Sequence, residues 1–194
     1  MVTHHHYLIY KPYGYLSQFV CEHKNKKLLG ELFDFPLGIM AIGRLDEDSE
    51  GLLLLTTDGR ISELIRSRNI EKQYYVQLDG IVTTHAIEKL RQGVDISIQG
   101  EKYTTLPCNA SILTETPLFP ERSKKIRSER HGPTTWISIV LTEGKYRQIR
   151  KMTAAVGFPT LRLIRVRIGA VYLNNLKPGE VVELNNLAEQ VIAS

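Results

Sequence analysis

The sequence predicts an α+β chain, because segments with the two-residue period of strands alternate with segments of helical period. Three stretches carry that prediction. An acidic turn between Gly43 and Gly51 runs directly into Leu52-Leu53-Leu54-Leu55, a loop feeding a fully buried strand. Tyr74, Val76 and Leu78 alternate with Tyr75 and Gln77, the pattern of a half-buried strand. Ile149, Met152 and Val156 recur on one side of a helical wheel.

Taken in order, a strand is expected at Tyr7–Tyr10, ended by Pro12 and Gly14. The strand Leu52–Thr56 is followed by Asp58-Gly59 and then by Ile61, Leu64 and Ile65 at helical spacing. After the strand around Tyr74–Leu78, Ile87, Leu90 and Val94 mark a short helix with Gly93 as its stop. From Thr114 to Pro133 the periodicity dissolves into Pro, Ser, Lys and Arg, and so long an irregular stretch reads as mobile or functional. Thr135–Thr142 resumes as a β-branched strand. A helix is expected over Tyr146–Val156, with Arg147 and Lys151 pointing away from its apolar face and Arg150 at the boundary. The last clear strand, Leu161–Ile168, sets Leu163, Arg165 and Arg167 on one side and Ile164, Val166 and Ile168 on the other.

Composition narrows the function. The 194 residues suffice for a substantial core, and no apolar run approaches the ~20 residues of a membrane span. The N-terminus lacks the basic-then-apolar pattern of a secretion signal, so a cytoplasmic location is expected. Cys21 and Cys108 stand far apart with no second ligand pair, which argues against both a disulfide scaffold and a metal finger. The net charge of +4 is modest, but its placement is not. Between Glu121 and Lys151 stand Arg122, Lys124, Lys125, Arg127, Arg130, Lys145, Arg147, Arg150 and Lys151, opposed only by Glu121, Glu129 and Glu143. This stripe is the electrostatic footprint of a polyphosphate partner.

The acidic turn invites comparison with a calcium loop, since Asp46, Asp48, Glu50 and Gly51 imitate its first, third, fifth and sixth positions. Four leucines then fill its seventh to tenth positions and Thr57 stands at the twelfth, where the bidentate glutamate belongs, so that reading fails. No phosphate-cradling glycine loop or dinucleotide fingerprint appears elsewhere.

Four stretches resemble, in order, the motifs of the RsuA-type pseudouridine synthases, which isomerise uridine in ribosomal RNA. Lys11-Pro12-Tyr13-Gly14 is similar to that family's Lys-Pro-x-Gly motif, and Gly43-Arg44-Leu45-Asp46 with Ser49, Gly51 and the leucines to its signature. Lys72-Gln73-Tyr74-Tyr75-Val76 resembles its Lys-x-Tyr-x-Val strand. Glu143-Gly144-Lys145-Tyr146-Arg147-Gln148-Ile149-Arg150-Lys151-Met152 resembles its Glu-Gly-Lys-x-Arg-Gln-Ile-Arg-x-Met segment. The resemblance implies a mixed, mostly antiparallel sheet with flanking helices, bent into two lobes around a catalytic cleft. It further implies a single catalytic domain over 1–194. The first motif begins at Lys11, leaving no room for the S4 RNA-binding domain many members carry, as in the compact branch of the family.

The same resemblance implies the site. Asp46 is the essential carboxylate, Arg150 the cation that keeps it ionised, Tyr74 a stacking residue with a possible proton-transfer role, and Leu163 part of the apolar wall. Arg44, two residues before Asp46, is expected to fill the space left by the flipped base or hold its neighbours. Arg122, Lys124, Lys125, Arg127, Arg130, Lys145, Arg147, Lys151, Arg165 and Arg167 are expected to grip RNA phosphates. No cofactor and no metal are expected, since uridine and pseudouridine are isomers. The partner expected is ribosomal RNA, from the large (23S) subunit, bound by a monomer. Two rivals remain: a non-catalytic RNA-binding or ribosome-assembly protein on the same scaffold, and a two-carboxylate glycoside hydrolase using Asp46 with Asp48 or Glu50.

Overall fold

The computed structural model describes residues 3–23, 25–67, 69–126 and 131–192. In chain order the strands and helices are β1 His6–Lys11, β2 Tyr15–Leu16, β3 Lys27–Leu28, β4 Met40–Ala41, β5 Glu50–Thr56, α1 Gly59–Ser67, β6 Lys72–Asp79 and α2 Thr84–Gln92. They continue with β7 Asp95–Ile98, β8 Glu101–Thr104, β9 Asn109–Ile112, β10 Thr134–Leu141, α3 Gln148–Ala155, β11 Thr160–Ile168, β12 Val171–Tyr172, β13 Val181–Glu183 and α4 Leu187–Ile192. The fold is α+β with mostly antiparallel pairing, as expected. Parallel pairing appears at β5–β11 and at β2–β3.

The chain separates into two compact units, residues 1–70 with 164–194 and residues 71–163. In the first, the strand order is β13-β1-β5-β11, with β4 on β5 and β12 on β11. Every residue of β5 is buried, which explains its unbroken leucines. Its register against β1 pairs Tyr7 with Leu55 and Lys11 with Gly51, so Lys11 ends up where the acidic loop enters the sheet. Asp58 caps α1, its Oδ1 accepting from the Arg60 and Ile61 amides. Ile65 is α1's buried apolar residue, and Leu187 and Val191 are those of α4.

The second unit runs β11-β6-β10-β9, with the β7–β8 hairpin as a separate small sheet. Tyr74 lies opposite Ile139 and Val76 opposite Ile137 in the antiparallel β6–β10 ladder. Tyr74, Val76, Leu78, Ile137 and Ile139 are all buried, so the alternation read from the sequence sorts the two faces correctly. Thr83 caps α2 through the Ala86 amide, and Ala86, Ile87 and Leu90 are its buried face.

Several boundaries differ from expectation. Val94 lies outside α2, because Gly93 (φ 93°) turns the chain against the Thr105 carbonyl, where a Cβ would come within 2.2 Å. Helix α3 starts at Gln148 rather than Tyr146, since Arg147 adopts a left-handed conformation (φ 52°) before it. Arg147 is therefore not an outward helical residue. The β7–β8 hairpin, β9, β12, β13 and α4 were not foreseen.

Candidate active site

In the first unit, Asp46 sits half-buried at the head of a tight loop. The Ser49 amide donates to the Asp46 carbonyl at 3.0 Å, closing the turn. Ser17 pins the residue before it from both sides, its Oγ accepting from the Leu45 amide at 2.9 Å and donating to the Leu45 carbonyl at 2.7 Å. The Gly14 amide donates to the Glu47 carbonyl at 2.8 Å. The Lys-Pro-x-Gly segment is thus bonded to the loop that carries the carboxylate.

Lys11 completes that attachment and has no exposed surface. Its Nζ donates to the carbonyls of Tyr15 at 2.6 Å, Pro12 at 3.0 Å and Glu47 at 3.5 Å. Burial pushes its ammonium down to about 7, against the opposing pull of Glu50, Asp48, Asp46 and Glu47. Between about 7 and the ordinary value of 10.5, the unfolded chain therefore holds more protons at this position than the folded chain. Stability contributed by the group rises with pH across that window. Lys11→Met is expected to flatten this slope and to lose about 1–3 kcal/mol at neutral pH, because three partly buried carbonyls lose their donor. Urea unfolding of both proteins at a series of pH values checks it.

Arg44, two residues before Asp46, is exposed. Two other arginines are not placed as expected. Arg165 is 4% exposed, its Nε donating to the Leu52 carbonyl at 2.7 Å. Arg167 is half-buried, its Nη1 donating to the Gly169 carbonyl at 2.7 Å and its guanidinium carbon lying 6.0 Å from the Tyr172 ring centre. Alternation put both on an open face, but both faces of β11 are covered around Arg165, where Arg162 to Arg165 are all buried. Arg165 braces the start of β5; it is not a free phosphate contact.

In the second unit, Tyr74 on β6 is 8% exposed and Leu163 on β11 is 5% exposed. Arg150 is half-buried on the first turn of α3. The loop leading to α3 is built on Glu143, which accepts from the Tyr103 hydroxyl at 2.6 Å, the Leu106 amide at 2.9 Å and the Gln148 side-chain amide. The Gln148 Oε1 in turn accepts from the Lys145 amide at 2.9 Å. Lys145 is exposed, with Nζ 4.9 Å from the Tyr103 ring centre. Lys151 Nζ lies 5.2 Å from the Tyr146 ring centre and donates to the Ser97 carbonyl at 2.7 Å. These lysines join the β7–β8 hairpin to the start of α3 and present positive charge there.

Arg122 is half-buried and Lys124 and Lys125 are exposed, while Arg127 and Arg130 lie outside the described residues. Sequence reasoning assigned no role to Lys11, Ser17 or Glu143. Lys11 and Glu143 stood inside recognised motifs, but their partners come from residues far along the chain. Among the described residues no cluster of three or more His, Cys, Asp or Glu is arranged to hold a metal ion, and no helix is long and apolar enough to cross a membrane.

Comparison with known proteins agrees with the motifs. Ribosomal large subunit pseudouridine synthase E of Xanthomonas campestris pv. campestris is 41% identical over 175 residues, covering 89% of this chain and 91% of that protein. The protein of the same name from Vibrio parahaemolyticus is 39% identical over 176 residues, covering 90% of this chain and 71% of its own. A solved structure described as a pseudouridylate synthase superposes with a TM-score of 0.77 at 28% identity, covering 99% of this chain and 75% of that one. A chain of a Cbf5-Nop10-Gar1 complex structure shares the fold, with a TM-score of 0.53 at 14% identity over 87% of this chain and 50% of that one. The family model for RNA pseudouridylate synthase matches residues 5–155, and the chain belongs to that family.

Proposed function

We propose that this protein isomerises a specific uridine of large-subunit (23S) ribosomal RNA to pseudouridine. The observation that carries the reading is the half-buried Asp46 on a loop fixed at Leu45, Glu47 and Ser49, in a chain about 40% identical to enzymes named for that subunit. A carboxylate that must act at one atom of a flipped nucleotide needs such fixed placement.

In this reading the N1–C1′ bond breaks, the uracil turns, and C5 joins C1′. C5 gives up its proton and N1 gains one, so atoms balance without any further reactant. Asp46 is the essential carboxylate. Arg150 is the cation assigned to partner that carboxylate. Tyr74 and Leu163 supply the apolar surface on which the base rests, with the Tyr74 hydroxyl available for the C5 proton. Arg44 meets the RNA where the base has left its stack. Lys145, Arg147, Lys151, Arg122, Lys124 and Lys125 contact phosphates, and Arg127 and Arg130 extend that basic run. The reading has the enzyme act as a monomer in the cytoplasm, with residues 1–194 forming one catalytic domain.

Tritium release tests it. Large-subunit ribosomal RNA labelled at uridine C5 loses tritium only when C5 becomes the attachment point. The wild-type protein is expected to release label in proportion to pseudouridine formed. Binding without release from large-subunit, small-subunit or transfer RNA would instead support the non-catalytic RNA-binding reading.

A further inference from the structure

The stretch Thr114–Ile126 has neither helix nor strand, yet its centre is fixed to the second unit. The Phe119 ring lies between Tyr75 of β6 and Trp136 of β10, with centroids 6.1 and 6.0 Å away. Arg162 of β11, 6% exposed, sets its guanidinium carbon 5.8 Å from the Phe119 ring centre. Its Nη2 donates to the Pro120 carbonyl at 2.8 Å. Arg122 then donates Nε to the Lys124 carbonyl at 2.6 Å and Nη1 to the Leu161 carbonyl at 3.4 Å. A cation held against an aromatic face and bonded to the next carbonyl makes a rigid root for the residues after Pro120.

Those residues are positive. Arg122–Ile126 holds three cations and no acid, and Lys124 and Lys125 are exposed. Successive residues of a strand point to opposite faces, so Tyr75 and Tyr74 lie on opposite sides of β6. The register agrees, with Ser138 opposite Tyr75 and Ile139 opposite Tyr74. The root of this basic strap is therefore on the face away from Tyr74.

We propose that Phe119 and Arg162 are positioning residues that hold Arg122, Lys124 and Lys125 as a fixed RNA-phosphate contact on the sheet face opposite Tyr74. The strap engages a stretch of RNA separate from the one that carries the target uridine. This rests on the RNA-modifying reading but is tested by binding, which requires no turnover.

The experiment is filter binding over a range of NaCl, using deproteinised large-subunit ribosomal RNA and a short hairpin around the uridine that tritium release from RNA fragments shows to be modified. The double variant Lys124→Ala/Lys125→Ala is expected to reduce the log–log salt slope on the long RNA by about two and to leave the hairpin unchanged. Phe119→Ala removes no charge, yet is expected to reduce the same slope by at least about one, with Phe119→Tyr restoring it. A folding defect alone would lower the active fraction and leave the slope as it was. A wild-type slope for Phe119→Ala beside a reduced one for the double variant would overturn the positioning role. Equal losses on hairpin and long RNA would overturn the separate contact. Absence of tritium release with these slopes intact would overturn the isomerase reading alone.

Discussion

Asp46→Asn is expected to reduce tritium release by at least about 10⁴-fold while leaving RNA affinity within about threefold of wild type. The substitution keeps the side chain's shape and removes its charge. It also leaves the fixtures of the loop in place, because they are backbone groups. The Ser49 amide bonds the Asp46 carbonyl, Ser17 holds both backbone groups of Leu45, and Gly14 holds Glu47. The loss should therefore appear in the single-turnover rate and not in binding or in the melting temperature. Asp48→Asn is the control, since Asp48 is half-buried on the same turn with the same chemistry. Retained release by Asp46→Asn together with loss in Asp48→Asn would move the reaction two residues along the loop. Loss of base or sugar into solution by the wild type would turn the reading to hydrolysis, since isomerisation changes no mass.

How much of this was legible in the sequence depended on the range of the forces concerned. The leucine run of β5, the alternation at Tyr74, Val76 and Leu78, and the spacing of Ile149 and Met152 are local signals, and each element formed around the residues that signalled it, though with shifted ends. The β7–β8 hairpin is different. Its turn uses Gln99 at φ 51° and Gly100 at φ 89°, and glutamine is a weaker signal for a left-handed turn than asparagine or glycine. Its strands contribute a single buried apolar side chain, Ile96, so no period stood out. Lys11 shows the same limit at the site. A lysine after a tyrosine and before a proline reads as a surface charge, and its burial depends on carbonyls up to residue 47. Arg165 was misplaced for a related reason. Alternation separates the two faces of a strand but cannot say that both are covered, and in β11 four consecutive residues, Arg162 to Arg165, are buried. The motif resemblance named candidate residues; only the fold shows that Lys11 and Ser17 hold the Asp46 loop and that Arg165 braces its exit.

Gly51→Ala is expected to be the most destabilising single change at the site, and the reason lies in where the loop ends. Gly51 is the second residue of β5, opposite Lys11 in β1 and paired with Arg165 in β11. Its φ of 102° is strained for any L side chain. A Cβ there would also lie 2.3 Å from the Arg165 carbonyl oxygen and 2.8 Å from the Arg165 amide nitrogen. Those are backbone atoms of a central strand, held further by the Arg165 Nε bond to the Leu52 carbonyl, so no flexible side chain can move aside. The strand must shift or the pairing must break. The expected cost is about 3–5 kcal/mol, a fall in melting temperature of roughly 8–15 °C for a chain of this size. Catalysis should fall by about 100-fold in whatever remains folded, because a displacement of about 1 Å in the loop carrying Asp46 spoils the alignment of the carboxylate. Gly38→Ala separates the two causes. Gly38 has a similar φ of 81° with nothing within 4 Å of its missing Cβ, so it bears the backbone strain alone, about 1–2 kcal/mol. Thermal melts that gave the two variants the same loss would mean that β11 yields to Gly51 without cost. The close approach of Arg165 would then not be what fixes the end of the loop that carries Asp46.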